Sequence, residues 1–257
     1  MPLDITATMD EIRNNYKTDP NVNKVNILEM GDFGTGKSTA LTTAPKPILV
    51  HSFDPGGMSG RLIQPLIESG AVLVERFEDE NPSKPTQWAR FDKRMSQLDD
   101  GGFFRSGAIK TFAIDSLTSL ADAVMNFIAG KAGRAGQQPQ LQDYQTQQIM
   151  LRNLLMKCCS LPVNFICTGH MKIEKDETLG KILSSLMVSG KLDIKIPILF
   201  DEVYVCQAKE TSKGSEYKFL TCNDGFYRAR TRMGAGIFEK LEEQNIEAMM
   251  KKAGKIK

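Results

Sequence analysis

Cysteine and histidine are both scarce, which argues against a disulfide framework and against a zinc site. The 257 residues include 5 cysteines and 2 histidines, and no two cysteines have C-x-x-C spacing. An odd number of cysteines, most of them in apolar runs, indicates reduced core thiols. The sequence also lacks a signal peptide and any apolar run long enough to cross a bilayer. We therefore expect a cytoplasmic protein with no membrane partner.

An excess of charge of one sign is absent as well. Lys and Arg number 33 against 31 Asp and Glu, so the formal net charge is only +2. A molecule so nearly balanced does not attract polyanions as a whole. Contact with nucleic acid would need a local basic patch, or one repeated in an oligomer. The length allows one large or two small domains with a substantial core.

One glycine-rich stretch has the spacing G-x-x-x-x-G-K-[ST]. Glycines there adopt backbone angles closed to other residues, so successive N–H groups turn inward around a phosphate. Lys37 would reach the β- and γ-phosphates, and the Ser38 hydroxyl would ligate Mg²⁺. The helix that follows points its positive end at the same anion. The pattern predicts a nucleoside triphosphate bound by Gly31, Asp32, Phe33, Gly34, Thr35, Gly36, Lys37, Ser38 and Thr39.

Strands and helices alternate through most of the chain. Apolar runs predict strands at 24–30, 48–53, 71–75, 109–115 and 163–168. Helical patterns occupy 38–44, 54–68, 88–98, 117–129 and 141–160, and a Gly- and Gln-rich stretch at 130–139 predicts a mobile loop. Strands separated by such helices predict an α/β fold, a mainly parallel sheet with helices on both faces.

Both ends of the chain depart from this alternation. Residues 1–23 predict a short helix and a linker without chemistry of their own, ahead of a core domain over 24–235. From Lys172 onward, shorter β-like runs follow, including 202–207 and 217–221, with a hairpin turn at Asn223-Asp224-Gly225. An amphipathic helix over 237–257 is expected to form a separate C-terminal segment, 236–257.

Asp115 closes an apolar strand and is the candidate for a second Mg²⁺ anchor. Hydrolysis in such sites requires an Asp at the end of another strand beside the phosphate loop. The carboxyl edge of a parallel sheet is where ligands bind, so Asp115 would arrive at the right place. The alternative is that Asp115 caps the next helix, a role that Ser116 could share.

The attacking water also needs a carboxylate or an amide near the γ-phosphate. Asp54 follows the second strand and is the first candidate for this base. The stretch Asp54-Pro55-Gly56-Gly57 is equally compatible with a turn that has no catalytic role. Glu75, at the end of the third strand, is the reserve candidate.

Polar residues further along the chain extend the site. His170 follows the fifth strand, where it would sense the γ-phosphate or serve as a structural histidine. Arg228, Arg230 and Arg232 alternate along one extended run, so they would share a face. Arg230 or Arg232 would act as an arginine finger in a neighbouring subunit's site, or the run would be a solvated basic edge strand.

The order of these features resembles the phage-encoded P-loop nucleotide-binding proteins of the RecA superfamily. The phosphate loop, Asp115-Ser116, His170, the run 197–203 and the Ala229–Arg232 run occur in sequence over about residues 22–235. The resemblance implies a RecA-like core that binds ATP and Mg²⁺ at subunit interfaces of a ring or filament. The second strand departs from the family, since relatives often carry Glu just before the Gly-Gly pair, where this chain has Asp54-Pro55.

The resemblance further implies single-stranded DNA as a partner, bound for recombination or strand annealing, with a single-strand-binding protein as a further partner. By this resemblance, His170 would switch a DNA-binding loop over about 171–191, and a first DNA-binding loop would lie near 131–134. Few aromatics in the main loop favour contacts with the phosphate backbone over base stacking. The implied DNA-binding residues are Lys131, Arg134, Lys172, Lys175, Lys181 and Lys191.

These features predict a slow, DNA-stimulated ATPase in the host cell cytoplasm. One rival is a nucleotide-switched assembly protein with little turnover. It is favoured because the stretch at Asp54 is equally compatible with a turn that supplies no general base. Another is a small-molecule kinase, which the β-rich end after Lys172 fits less well. The sequence leaves the residues that contact the adenine ring unassigned, since no motif identifies them.

Overall fold

A computed structural model describes residues 3–19, 22–78, 81, 83–175, 180, 182–212 and 214–257. The helices are α1 (Ile5–Thr18), α2 (Lys37–Leu41), α3 (Gln64–Glu68), α4 (Gln87–Asp100), α5 (Leu117–Lys131), α6 (Leu141–Ser160), α7 (Leu192–Lys195) and α8 (Ile246–Lys252). The strands are β1 (Asn26–Met30), β2 (Ile48–Ser52), β3 (Val72–Arg76), β4 (Thr111–Asp115), β5 (Asn164–Gly169), β6 (Met171–Lys175), β7 (Ile182–Leu186), β8 (Glu202–Thr211), β9 (Gly214–Leu220) and β10 (Leu241–Glu243).

A mostly parallel sheet of eight strands forms the centre of the molecule. Its order is β10-β9-β8-β1-β5-β4-β2-β3, and every neighbouring pair from β8 to β3 is parallel. Strand β9 pairs antiparallel with β8, and β10 pairs antiparallel with β9. Strands β6 and β7 form a separate two-stranded hairpin. The predicted α/β class with a mainly parallel sheet is confirmed.

Helices cover both faces of the sheet because its central strands are apolar on both sides. On one face, Phe112, Phe165 and Phe200 stack in a row beneath α4, α5 and α6. On the other face, Ile27, Val50 and Ile166 pack against α2, α3 and α8. Strands buried on both faces are typical of parallel sheets, in which hydrophobic runs replace strict alternation.

The C-terminal part differs from its prediction. Instead of one helix over 237–257, a short strand, β10, pairs with β9 and is followed by the seven-residue helix α8. Ile246, Met249 and Met250 of α8 are buried in the core, so this segment is part of the main body. Pairing with the free edge of β9 outweighed the local helical pattern.

Two further loops differ from expectation. The last described pair of the β8–β9 hairpin is Thr211 with Gly214, while 223–225 forms an Asx-type turn outside the sheet. The stretch 171–191, expected as a DNA-binding loop, includes two paired strands, β6 and β7. No helix in the described part of the chain is both long and apolar enough to span a membrane.

Candidate nucleotide site

Four strand ends meet around one cavity at the carboxyl edge of the sheet. The cavity has a volume of about 1060 Å³, and Lys37, Ser38, Asp54, Asp115 and His170 all line it. Lys37 and Ser38 begin α2, after the loop that follows β1, and the other three lie at or just beyond the ends of β2, β4 and β5. Parallel strands end at a common edge, so residues far apart in sequence come together here.

The loop between β1 and α2 has the geometry that its glycines allow. Gly34 and Gly36 have φ values of 72° and 88°, in the left-handed region that favours glycine. At Gly31 the limit is space, because a Cβ there would lie 2.5 Å from Thr35 Oγ1. The loop therefore approaches its surroundings by backbone alone, as a phosphate cradle requires.

Lys37 is folded onto its own loop. The ammonium Nζ donates to the carbonyl oxygens of Gly31 and Asp32, at 2.9 and 2.6 Å. Burial lowers the pKa of Lys37, and the nearby carboxylates of Asp115 and Asp54 oppose that shift. A buried cation beside two carboxylates is suited to a polyanionic ligand that could replace the carbonyl contacts.

Asp115 offers an oxygen that fits a metal ion. Its Oδ1 accepts a hydrogen bond from the Thr168 hydroxyl, while its buried Oδ2 has no partner among the described residues. Burial raises the pKa of the Asp115 carboxyl, and the hydroxyls of Thr168 and Ser38 lower it in part. Mg²⁺ prefers such oxygen ligands, with substrate phosphates and water completing its shell. Ser38 and Asp115 are thus placed to hold the ion.

Thr168 is a residue that the sequence argument missed. Strand β5 lies between β1 and β4, so Asp115 is not on the strand next to the phosphate loop as expected. Thr168 comes from that intervening strand and fixes one Asp115 oxygen. A hydroxyl at the end of an otherwise apolar strand was the available signal.

Asp54 lies in the cavity wall, held by the start of α5. Its Oδ1 accepts hydrogen bonds from the hydroxyls of Ser116, at 2.9 Å, and Ser119. Ser116 also caps α5, since its side chain accepts from the Ser119 N–H. The helix-capping alternative considered for Asp115 therefore falls to Ser116. Two hydroxyl donors fix the Asp54 carboxylate in one orientation toward the cavity.

Glu75, the reserve candidate for the base, is engaged elsewhere. Its Oε1 accepts from Arg94 Nη2 at 2.6 Å, its Oε2 accepts from Arg94 Nε at 3.0 Å, and Oε2 also lies 3.0 Å from His51 Nε2. Together, the His51 and Arg94 contacts lower the pKa of Glu75 to about 2. Glu75 does not line the cavity, so the reserve assignment is wrong on geometric grounds.

His170 joins the cavity to the hairpin that follows it. Its N–H donates to the Thr118 hydroxyl of α5 at 3.1 Å, and its carbonyl accepts from Met187 N–H at 2.8 Å. At the hairpin base, a Cβ on Gly169 would lie 2.6 Å from Leu186 Cδ1. The backbone at His170 therefore contacts both α5, next to Asp115, and the end of β7.

The arginine run is not a free edge strand. Arg230 Nη2 donates to the carbonyl oxygens of Pro197 and Phe200, at 3.0 and 2.6 Å. Arg232 is exposed and pairs with Asp201 at 3.3 Å. Neither residue lines the cavity of its own chain. Arg230 is thus occupied within the fold, which corrects the expectation of three equivalent arginines on one open face.

The residues implied to bind DNA differ in their surroundings. Lys175 and Lys191 are exposed. Lys172 forms an ion pair with Glu174, and the Lys131 ammonium lies over the Phe127 ring. Arg134 forms a bidentate ion pair with Asp143 at the start of α6, with both nitrogen–oxygen distances 2.8 Å. Arg134 therefore helps to anchor a helix rather than a mobile loop. Lys181 lies outside the described residues.

A buried carboxyl group beneath the phosphate loop also escaped the sequence argument. Glu29 in β1 is completely buried, beside Thr168 and Tyr204 on the neighbouring strands. Burial and the charge of Asp115 raise the pKa of Glu29 well above its usual range. Neither carboxyl oxygen has a hydrogen-bond partner in the part of the chain that the structure describes.

Fold and site together define the class of protein. A glycine-rich loop with a buried lysine leads from a central parallel strand into a helix, and an Asp at a second strand end lies beside the serine of that loop. This is the arrangement of a P-loop NTPase domain.

The family follows from the sequence itself. The profile of a family described as AAA domain matches residues 23–233, and the chain belongs to that family. No curated protein matches the sequence. Among solved structures, the flagellar accessory protein FlaH from Methanocaldococcus jannaschii is similar, with 12% identity over 84% of this chain and 83% of FlaH and a TM-score of 0.43.

Proposed function

We propose that this chain binds ATP together with Mg²⁺ and hydrolyses the bond between the β- and γ-phosphates. The observation that carries the proposal is the position of Asp54. Its carboxylate is held by Ser116 and Ser119 in the wall of the cavity that Lys37 and Asp115 also line. A cradle alone would support binding, whereas an oriented carboxylate beside it supports hydrolysis.

Each residue then has a separate task. The loop N–H groups and Lys37 hold the β- and γ-phosphates, while Ser38 and Asp115 hold the ion. Mg²⁺, when bound, neutralises charge that develops on the phosphate oxygens. Asp54 orients the attacking water and accepts its proton, and His170 contacts the γ-phosphate end of the site.

Asp54→Asn tests the proposal most directly. The variant keeps the shape of Asp54 but loses its basicity, so we expect kcat to fall about 10²–10⁴-fold with little change in ATP affinity. Steady-state phosphate release gives kcat, and calorimetric titration gives affinity. Unchanged kcat in Asp54→Asn would remove the proposed base.

Two further variants serve as references for Asp54→Asn. Lys37→Ala should abolish ATP binding, because it removes the charge that contacts the phosphates. Glu75→Gln should leave kcat within about twofold, because this carboxylate faces Arg94 and not the cavity. ATP affinity of Lys37→Ala equal to that of the parent would contradict the site as a whole.

We further propose that the chain oligomerises as a ring or filament with nucleotide at the subunit interface. Arg232 is exposed and its pair with Asp201 is at the surface, so it can reach a neighbouring site. An arginine supplied in trans would raise kcat without adding to nucleotide affinity. Arg232→Ala should therefore lower kcat selectively, and light scattering with and without ATP reports assembly.

Single-stranded DNA is the proposed partner, in recombination or strand annealing. The β6–β7 hairpin begins one residue after His170, so a contact at the γ-phosphate end is adjacent to the element that carries Lys172 and Lys175. Exposed lysines without interleaved aromatics favour binding of the phosphate backbone. We expect ATP to tighten DNA binding and DNA to stimulate hydrolysis.

Fluorescence anisotropy with a labelled oligonucleotide tests this partner. Affinity should fall with salt, and Lys175→Ala should reduce the slope of log K against log salt by about 1. Lys93→Ala, an exposed lysine on α4, is the matched control and should leave the slope unchanged. Absence of binding at low salt, in the presence of ATP, would rule out the recombination role.

A nucleotide-switched assembly protein with little turnover is the second candidate, and the short side chain of Asp54 is the observation that favours it. Relatives that the sequence resembles often have the longer Glu, and a shorter carboxylate reaches less far toward a water. ATPase assays separate the candidates. Stimulation by DNA favours the recombinase, negligible turnover favours the switch, and a requirement for a small-molecule acceptor would indicate a kinase.

A further inference from the structure

The cavity extends well beyond the phosphate loop, on the side away from Asp54 and Asp115. That second end is lined by residues of β9, of the end of β10 and of the segment after it, namely Ser215, Tyr217, Lys218, Glu243, Gln244 and Asn245. In the sheet, β4 and β2 lie on one side of β1, while β8, β9 and β10 lie on the other. The two ends of the cavity are therefore built by opposite halves of the sheet.

This division determines which part of a nucleotide each end can receive. Asp54, Asp115 and His170 surround the γ-phosphate end, and the loop itself takes the phosphate chain. The sugar and base must then extend toward the end formed by β9 and the C-terminal segment.

Tyr217 presents an aromatic ring at that end. Side chains two residues apart share one side of a strand, so Tyr217 lies on the same side of β9 as Phe219. The Phe219 ring is buried beside Tyr204, on the face of the sheet that packs against α2. Tyr217 remains 41% exposed. Its Cδ1 atom lies 3.0 Å from the position that a Cβ on Gly36 would occupy. The ring therefore borders the glycine at the start of α2, with an open side toward the cavity.

Gln244 adds a polar group next to the same glycine. Its Nε2 donates to the carbonyl oxygens of Thr35 and Lys218, at 2.9 and 3.2 Å, which joins the phosphate loop to β9. Both amide hydrogens are thereby used. The amide oxygen, Oε1, lies 2.5 Å from the Cβ position of Gly36. Within the described chain no group donates to Oε1, so an acceptor is left at the cavity wall.

We propose that Tyr217 and Gln244 form the base subsite of the nucleotide site, with the base on the Tyr217 ring and its amino group donating to Gln244 Oε1. An aromatic ring stacks on any nucleobase, so Tyr217 contributes affinity rather than selectivity. Gln244 contributes the selectivity. Its Nε2 is held by two carbonyl oxygens, so the side-chain amide cannot rotate to present a donor in place of Oε1. The site then prefers a base with an exocyclic amino group, such as adenine, over a base that lacks one. This inference rests on the proposed nucleotide site.

Comparison of ATP with purine riboside triphosphate, which lacks only the amino group, tests the role of Gln244. The parent chain should bind ATP about fivefold more tightly by calorimetry, the worth of one hydrogen bond. In Gln244→Ala the two affinities should become equal. A merely structural role for Gln244 would weaken both nucleotides by the same factor and leave their ratio unchanged, which would overturn the assignment.

Tyr217 is tested by a pair of variants. Tyr217→Ala should weaken ATP about tenfold or more through lost stacking, whereas Tyr217→Phe should bind within about twofold of the parent. Equal affinity of Tyr217→Ala and the parent would remove the ring from the subsite. Inorganic triphosphate provides the reference, because it engages the loop without a base and should bind the parent and both Tyr217 variants alike.

The same data separate the two proposals. If triphosphate and ATP both fail to bind the parent chain, the nucleotide site itself is wrong. If both bind but ATP is no tighter than purine riboside triphosphate, only the base subsite is wrong.

Discussion

Three acidic residues at or near strand ends show how neighbours decide what a carboxylate can do. Asp115 is buried with one oxygen unpartnered among the described residues, which suits a metal ion. Asp54 is oriented by two hydroxyls at the cavity wall. Glu75 occupies a comparable place in the sequence but is neutralised by Arg94 and by contact with His51. All three residues carry a carboxylate, and it is their hydrogen-bond and ion-pair partners that differ.

The contacts of the Glu75 carboxylate with His51 and Arg94 should contribute to stability only above acid pH. Because the pKa of Glu75 falls to about 2 in the folded chain, the charged form is favoured by folding. That contribution is complete above the usual pKa of a glutamate, about 4.3, and is lost as the pH falls toward 2. Glu75→Gln should lower the free energy of unfolding at pH 7 by about 1 kcal/mol, since solvent screens the exposed side of the pair.

Urea unfolding of the parent and Glu75→Gln between pH 7 and pH 2.5 measures this effect. The difference between them should shrink as the pH falls below about 4.3. Glu68→Gln, at an exposed position on α3, is the control and should show no comparable difference. A difference that is constant with pH would mean that the Glu75 charge is not what stabilises the fold.

At the scale of elements, the run around Phe200-Asp201-Glu202 acts as an anchor. Glu202 is fully buried and its carboxylate accepts from the N–H groups of Arg232 and Met233 and from the Tyr204 hydroxyl. Asp201 accepts from the N–H of Asn26 at the start of β1. The run that contributed to the family resemblance thus attaches the arginine segment to β8 and β1. Part of the motif is structural.

Arg230 should matter for the same anchor rather than for chemistry alone. Its guanidinium closes the turn at 197–199 by donating to two backbone carbonyls. Arg230→Ala would leave those carbonyls to water or unpaired, so we expect the free energy of unfolding to fall by about 1–3 kcal/mol. Arg232→Ala, at an exposed ion pair, should cost less than about 0.5 kcal/mol.

Chemical denaturation of both variants decides between these roles. If Arg230→Ala is as stable as the parent, its bonds to Pro197 and Phe200 are not structural and a finger role regains its place. Equal losses for Arg230→Ala and Arg232→Ala would contradict the distinction between a half-buried and an exposed arginine.

At the scale of the whole molecule, the C-terminal segment closes the side of the sheet that the nucleotide base would face. Strand β10 extends the sheet, Gln244 bonds the phosphate loop, and the Ile246 N–H donates to the Thr43 hydroxyl just after α2. Met250 is completely buried beneath these contacts. Stability and the site therefore depend on the same segment.

Met250→Ala should lower the free energy of unfolding by about 2–5 kcal/mol, the usual cost of truncating a buried methionine. Met156→Ala is the matched control, because Met156 is 46% exposed on α6 and its loss should cost less than about 0.5 kcal/mol. Thermal and urea unfolding measure both. A cost for Met250→Ala no larger than for Met156→Ala would mean that α8 does not belong to the core.

The sequence by itself determined the parts that depend on local pattern. Apolar runs between amphipathic helices predicted the parallel sheet, because period and length are readable without tertiary contacts. The glycine spacing around Lys37 and the acid after an apolar strand predicted the phosphate loop and Asp115, because each requires only a few adjacent residues.

Tertiary structure decided whatever depends on strand order and on partners distant in sequence. The insertion of β5 beside β1 brought Thr168 to Asp115, and the free edge of β9 drew 241–243 out of a predicted helix. Arg94 removed Glu75 from the set of possible bases, and Gln244 reached Thr35 across 209 positions of sequence. Pairing energies between distant segments leave no periodic trace in either partner, so only the folded chain reveals them.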